Sequence, residues 1–251
     1  MSTVSNSNQS ALFYFLSNAY QGIDGYESDF GEGVDDFNPA NNAVDTTYGE
    51  LTLEGAQCLL DRLGVTPGST FYDIGCGTGK VVIHAALSTG AHAVGIEIVR
   101  ARYEKAVRVL RFMRYHIDAI AAEFIYGDAT KLDLTRADFL WMNATTWPPE
   151  LICAIVRRTG EKAIIAINVE VPRHMRNYVR LIDQLVVPVT WCPFVHVYVY
   201  QRLRDPVHKT YHNNHNDQRE RSLPENEQWR LFNHDPEYCE CEEQERRHAQ
   251  R

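Results

Sequence analysis

The 251-residue chain predicts an α/β protein whose core is a mostly parallel seven-stranded sheet with an antiparallel edge strand. Three observations carry this. Short apolar runs alternate with amphipathic helical stretches from residue 70 onward, the pattern of a sheet covered on both faces. The first run, "TFYDI", breaks into the glycine-rich turn "GCGTG". The last two runs, "VVPVTW" and "FVHVYVYQR", follow each other without a helix between them, which predicts an antiparallel pair.

Taken in order, residues 1–10 read as a mobile terminus and "ALFYFLSNAY" as a short helix. Residues 21–47, rich in Gly, Asp and Asn, read as loop. "ELTLEGAQCLLDRL" is helical, with Leu53, Ala56, Leu59, Leu60 and Leu63 along one side. Strand one is "TFYDI", "KVVIHAALST" the next helix and "AHAVGIE" strand two. A long helix from Val99 to Ile117 buries Tyr103, Ala106, Leu110, Met113 and Ile117, leaving Arg102, Lys105, Arg108 and Arg111 on its remaining surface. "AEFIYG", "ADFLWM" and "KAIIAINVEV" are strands three to five, with Phe139 and Trp141 in the core. "RHMRNYVRLIDQL" reads as a helix before the final pair. Three regions result: an acidic N-terminal segment with a short helix (1–47), the α/β domain (48–202) and a polar, acidic tail (203–251).

Charge is unevenly placed. Ten of the 33 acidic residues precede Arg62, the first basic one, and the net charge is −8. The tail from Leu203 holds 8 basic and 11 acidic residues. Such ends repel nucleic acid and attract basic partners. No apolar run reaches the roughly 20 residues of a membrane span, and "MSTVSNSNQS" lacks the basic start of a secretory signal. Six scattered cysteines fit a reducing compartment. The tail residues His208, His212, His215, His234, Cys239 and Cys241 match no known zinc spacing, so no metal is expected.

Ligands of open parallel sheets bind at the carboxyl ends of the strands, which places the expected site on the glycine turn. A phosphate-binding P-loop is excluded because Lys80 stands where its second glycine belongs, and Lys80 also breaks the dinucleotide G-x-G-x-x-G pattern. What remains is Asp73-x-Gly75-x-Gly77-x-Gly79, with Cys76 inside the turn. This form resembles the first motif of the Rossmann-like class I methyltransferases that use S-adenosylmethionine. That cofactor has an ammonium and a sulfonium but no phosphate. Asp73 suits the ammonium, Glu97 at the end of strand two suits the ribose hydroxyls, and Asp128 after strand three suits the adenine amino group. Acids at the ends of three successive strands make the signal a joint one, although each alone could simply cap a turn.

A narrower resemblance is carried by "TTYGEL", "FYDIGCGTGKVV", "VGIEIVRARYEKA", "NATTWPPEL" and "VTWCPFVHVYVYQR", between about Tyr48 and Arg202. This series resembles the disruptor-of-telomeric-silencing (Dot-one) family of non-SET histone H3 lysine methyltransferases. The resemblance implies an S-adenosylmethionine-dependent enzyme that methylates a lysine in the globular core of H3, on nucleosomes, in the nucleus. It implies that Tyr48, Gly49 and Glu50 close over the methionine end, and that Asp73, Gly75, Cys76, Gly77, Gly79, Glu97, Asp128 and Ala129 surround the cofactor. Asn143 would sit beside the sulfonium, with Trp147 and Tyr198 lining the lysine channel. Ala129 departs from the family's adenine-stacking aromatic and Leu51 from a polar residue. The acidic tail departs from a basic DNA-gripping segment, for which the long helix's arginines, or Arg157, Arg158 and Lys162, or Arg173, Arg176 and Arg180, would have to substitute, each set reading otherwise as an ordinary solvated helix face. The sequence leaves open a methyltransferase of the same fold acting on another protein, an RNA or a small molecule, and a non-catalytic binding module. Oligomeric state is also open.

Overall fold

The strands are β1 (Thr70–Ile74), β2 (His92–Glu97), β3 (Ala122–Tyr126), β4 (Phe139–Met142), β5 (Ile164–Ile167), β6 (Val179–Val189) and β7 (Cys192–Arg202). They form one sheet in the order β3-β2-β1-β4-β5-β7-β6 in a computed structural model that describes residues 6–23, 49–117 and 119–205. β1 to β5 pair in parallel, β7 runs antiparallel to β5, and β6 antiparallel to β7. The antiparallel strand is therefore one in from the edge. β1 lies between β2 and β4, so its carboxyl end opens at the point where the strand order reverses.

Two cores cover the two faces. On one, α1 (Asn6–Ala19), α2 (Leu53–Leu63), α3 (Lys80–Thr89) and α4 (Arg100–His116) bury Leu16, Leu59, Leu60, Ile83 and Met113 against Phe71, Ala93 and Trp141. On the other, α5 (Pro149–Arg158) packs Ile152, Ile155 and Val156 onto Ile74, Val94, Leu140, Ile165 and Ile167. α2 begins where the Thr52 hydroxyl accepts from the Gly55 amide at 3.0 Å, and ends at Gly64 in the left-handed region. α3 begins at Gly79, whose φ of 81° suits glycine; a Cβ there would lie 2.2 Å from the Phe124 ring of β3.

Several expectations change. α1 already begins at Asn6, inside the stretch read as a mobile terminus. Arg102 is not a surface residue: it is 7% exposed, whereas Tyr103 and Ile117 are only half-buried and Val109 joins the buried stripe. The helix expected over "RHMRNYVRLIDQL" is a single 3₁₀ turn, Arg173–Asn177, followed by the eleven-residue strand β6. Met175, Val179, Ile182 and Val186 do fit helical spacing. The partner decides: β7 offers a long alternating run, and pairing with it satisfies the backbone of this segment, with a bulge between Leu181 and Asp183. The loop 21–47 lies outside the described residues beyond residue 23, as does the tail after residue 205. Among the described residues, no helix is long and apolar enough to cross a membrane, and Cys58, Cys76, Cys153 and Cys192 are free thiols.

Candidate functional site

The glycine turn is stitched to the end of β2. The Gly75 and Cys76 amides donate to the Ile96 carbonyl at 2.8 and 3.1 Å. Beyond them, the Gly77 amide donates to Glu97 Oε2 at 2.7 Å, and the Val99 amide to Glu97 Oε1 at 2.8 Å. One carboxylate thus holds the β1–α3 and β2–α4 turns in fixed register. Asp73 stands next to it, 3% exposed. Burial, and then the neighbouring Glu97 and Glu50, push its carboxyl well above the ordinary range. Glu97 is also raised by burial, opposed by its amide donors and by the charge of Arg102.

An arm from the N-terminal side reaches the same turn. Glu50 accepts from the Thr78 hydroxyl at 3.0 Å and pairs with the Lys80 ammonium, which also sits over the Tyr20 ring. The Tyr20 hydroxyl donates to the Thr78 carbonyl at 3.2 Å. The arm is tied at its other side to the β6–β7 hairpin. Leu51 bridges Val189, the Thr190 amide donates to Glu50 O at 2.9 Å, and the Thr52 amide donates to Pro188 O at 3.3 Å. Trp191 in the hairpin turn packs so closely on Gly49 that a Cβ would fall 2.1 Å from its ring. Leu51, the residue departing from a polar one, is 2% exposed and serves the core.

Asn143 follows β4 and reaches this arm, donating through Nδ2 to the Gly49 carbonyl at 2.9 Å. Its Oδ1 accepts from Asn168 Nδ2 at 2.7 Å and from the Thr145 hydroxyl at 3.2 Å. Trp147 leans over the turn, its Cζ2 3.1 Å from where a Cβ on Gly75 would be. Tyr198 is half-buried on the α5 face, in register with Ile167 at the end of β5. The structure thus gathers Gly49, Glu50, Asp73, Gly75, Gly77, Glu97, Asn143 and Trp147 around the carboxyl end of β1, with Tyr198 three strands away on β7.

Other expected residues have narrower parts. The Cys76 thiol is buried in the core beside Gly95, and burial raises it well above its ordinary value. Gly79 is required by Phe124. Asp128 caps the 3₁₀ turn Ala129–Lys131, accepting from the Thr130 amide at 2.9 Å and its hydroxyl at 2.7 Å. Its Oδ2 lies 3.4 Å from Lys131 Nζ. Ala129 is buried. Tyr48 lies outside the described residues. Sequence reasoning missed Thr78, Lys80 and Asn168. Asn168 carried the same signature as Asp73, Glu97 and Asn143: a polar residue ending an apolar strand. Among the described residues there is no group of three or more side chains able to hold a metal ion.

The donor set suits an organic cation with hydroxyls. Two buried carboxyls at the turn are held above their ordinary range, first of all by burial. Gly75, exposed and at positive φ, offers bare backbone for close approach.

A profile of the family described as "Histone methylation protein DOT1" matches residues 32–157. A histone-lysine N-methyltransferase, H3 lysine-79 specific, of Yarrowia lipolytica is 26% identical over 145 residues, 54% of this chain and 28% of the relative. Its counterpart in Emericella nidulans is 29% identical over 128 residues, 47% of this chain and 26% of the relative. The chain therefore spans about a quarter of the length of these curated relatives. Among solved structures, an RNA methyltransferase from Salinibacter ruber in complex with S-adenosyl-L-homocysteine is 20% identical with a TM-score of 0.49, covering 60% of this chain and 92% of that one.

Proposed function

The chain belongs to the DOT1 histone methylation family, and on that premise we propose that it is an S-adenosylmethionine-dependent methyltransferase acting on a lysine of histone H3. The single observation that carries the reading is the pair of buried acids, Asp73 and Glu97, bracketing an open glycine turn at the carboxyl end of β1. Asp73 would receive the ammonium of the cofactor, Glu97 the ribose hydroxyls and Asp128 the adenine. When bound, the cofactor supplies an electrophilic methyl on a sulfonium.

The chain's own contribution is to hold and expose a neutral amine. A lysine has a reference pKa of roughly 10.4 and is mostly protonated at neutral pH. Trp147 and Tyr198 would form aromatic walls that exclude water and disfavour the ammonium, lowering that value. The proton would leave to solvent before the amine enters, so no general base is needed. Fixing the nitrogen in line supplies the remaining acceleration. The arm at Gly49 and Glu50 would close the methionine end, with Asn143 holding its backbone. The names of the fungal relatives support histone H3 as the substrate, and with it a nuclear role at chromatin.

The test is transfer of labelled methyl from S-adenosylmethionine to nucleosomes, free histone octamers and RNA, with Asn143→Ala as control. Label on an H3 lysine that disappears in the variant is the expected result. Label on RNA or another protein alone, or cofactor binding with no transfer to any of them, would overturn the histone assignment.

A further inference from the structure

We infer that Asn168, at the end of β5, is a positioning residue that sets which way the Asn143 carboxamide faces and thereby keeps the Gly49–Thr52 arm closed on the site. The chain of donors and acceptors fixes its own direction from both ends. The Ala144 backbone amide can only donate, and it does so to Asn168 Oδ1 at 2.7 Å. That leaves Asn168 Nδ2 as the group facing Asn143 Oδ1 at 2.7 Å and Thr145 Oγ1 at 2.6 Å. Asn143 Oδ1 is therefore the acceptor, and its Nδ2 is turned outward. At the far end the Gly49 carbonyl can only accept, and Asn143 Nδ2 reaches it at 2.9 Å. A carboxamide flipped at either asparagine would set oxygen against oxygen or N–H against N–H.

This deepens the proposed site and rests on that reading only for its link to methyl transfer. The two asparagines follow adjacent parallel strands, β4 and β5, whose last residues Met142 and Ile167 are in register. The sheet thus transmits its geometry to a short arm that is also tied at Glu50 and by the hairpin contacts.

Amide hydrogen exchange in the free protein, without cofactor or histone, tests the arm directly. Thr52 and Thr190 report its closure, because their amides donate across the arm–hairpin junction. Asn168→Asp keeps the acceptor for Ala144 but replaces the donor facing Asn143. It should speed exchange at both amides by about tenfold or more, while exchange in β1 stays unchanged. Asn143→Ala should do the same, and the double variant should add nothing further. If Asn168→Asp does not fold, Asn168→Ala removes the same donor without adding charge. Exchange at wild-type rates in a folded Asn168 variant, or additive effects in the double variant, would overturn the inference. Because no methyl transfer is measured, that failure is separate from failure of the histone assignment.

Discussion

The β1–β4 half and the β5–β7 half of this sheet are built by different means. In the first, each strand leads through a turn or helix to the next parallel strand, and α2, α3 and α4 cover one face. In the second, one 3₁₀ turn stands between β5 and β6, and a long antiparallel hairpin ends the sheet with Phe194 at its tip 76% exposed. The first half creates its site from local chain: Asp73, the glycines and Glu97 all lie within 25 residues of one another. The second half contributes by long-range contact, Thr190 with Glu50 and Asn168 with Asn143. Local chain thus builds the acid-lined turn, and distant chain ties down the arm beside it.

The largest effect on this contrast should come from Asp73→Asn. A charge-assisted contact to an ammonium is lost, so cofactor affinity measured by calorimetry should fall about 10- to 100-fold. Folding should be preserved, because a buried carboxyl already raised by its surroundings loses little when made neutral. The same group gives a pH dependence. Its folded value is raised, so protonation favours the free fold, and that contribution fades as pH rises through the folded value. A cationic ligand needs the ionised form. Affinity should therefore strengthen with rising pH, with proton release detectable in buffers of different ionisation heat, and Asp73→Asn should flatten the profile.

Two substitutions sharpen the structural side. Gly79→Ala meets both a φ of 81° and the Phe124 ring, and should cost about 1–3 kcal/mol in denaturant unfolding. Thr52→Ala removes the cap of α2 where the arm joins the hairpin. It should cost about 1 kcal/mol, with little change in cofactor affinity.

The same division governs what the sequence revealed. β1, α3 and β2 stood out residue by residue, because period, glycine break and capping act within a few positions of each other. Asp73 and Glu97 were legible as acids ending apolar runs. β6 was not, since Met175, Val179, Ile182 and Val186 suit a helix until β7 is present as a partner. Arg102 and Asn168 were hidden for a related reason. An arginine on a helix reads as solvated unless the carboxylate of another strand is known to lie beside it. An asparagine's orientation follows from neighbours far away in the chain.

On the proposed function, the first half would hold the cofactor and the wall formed with the second would hold the lysine. Calorimetric titration of S-adenosylmethionine into Asp73→Asn and Tyr198→Ala, side by side with the unmodified protein, tests that assignment most directly. Loss of affinity in Asp73→Asn, with Tyr198→Ala binding as tightly as the unmodified protein, is the predicted result. Unchanged binding in Asp73→Asn, or an equal loss in both variants, would contradict it.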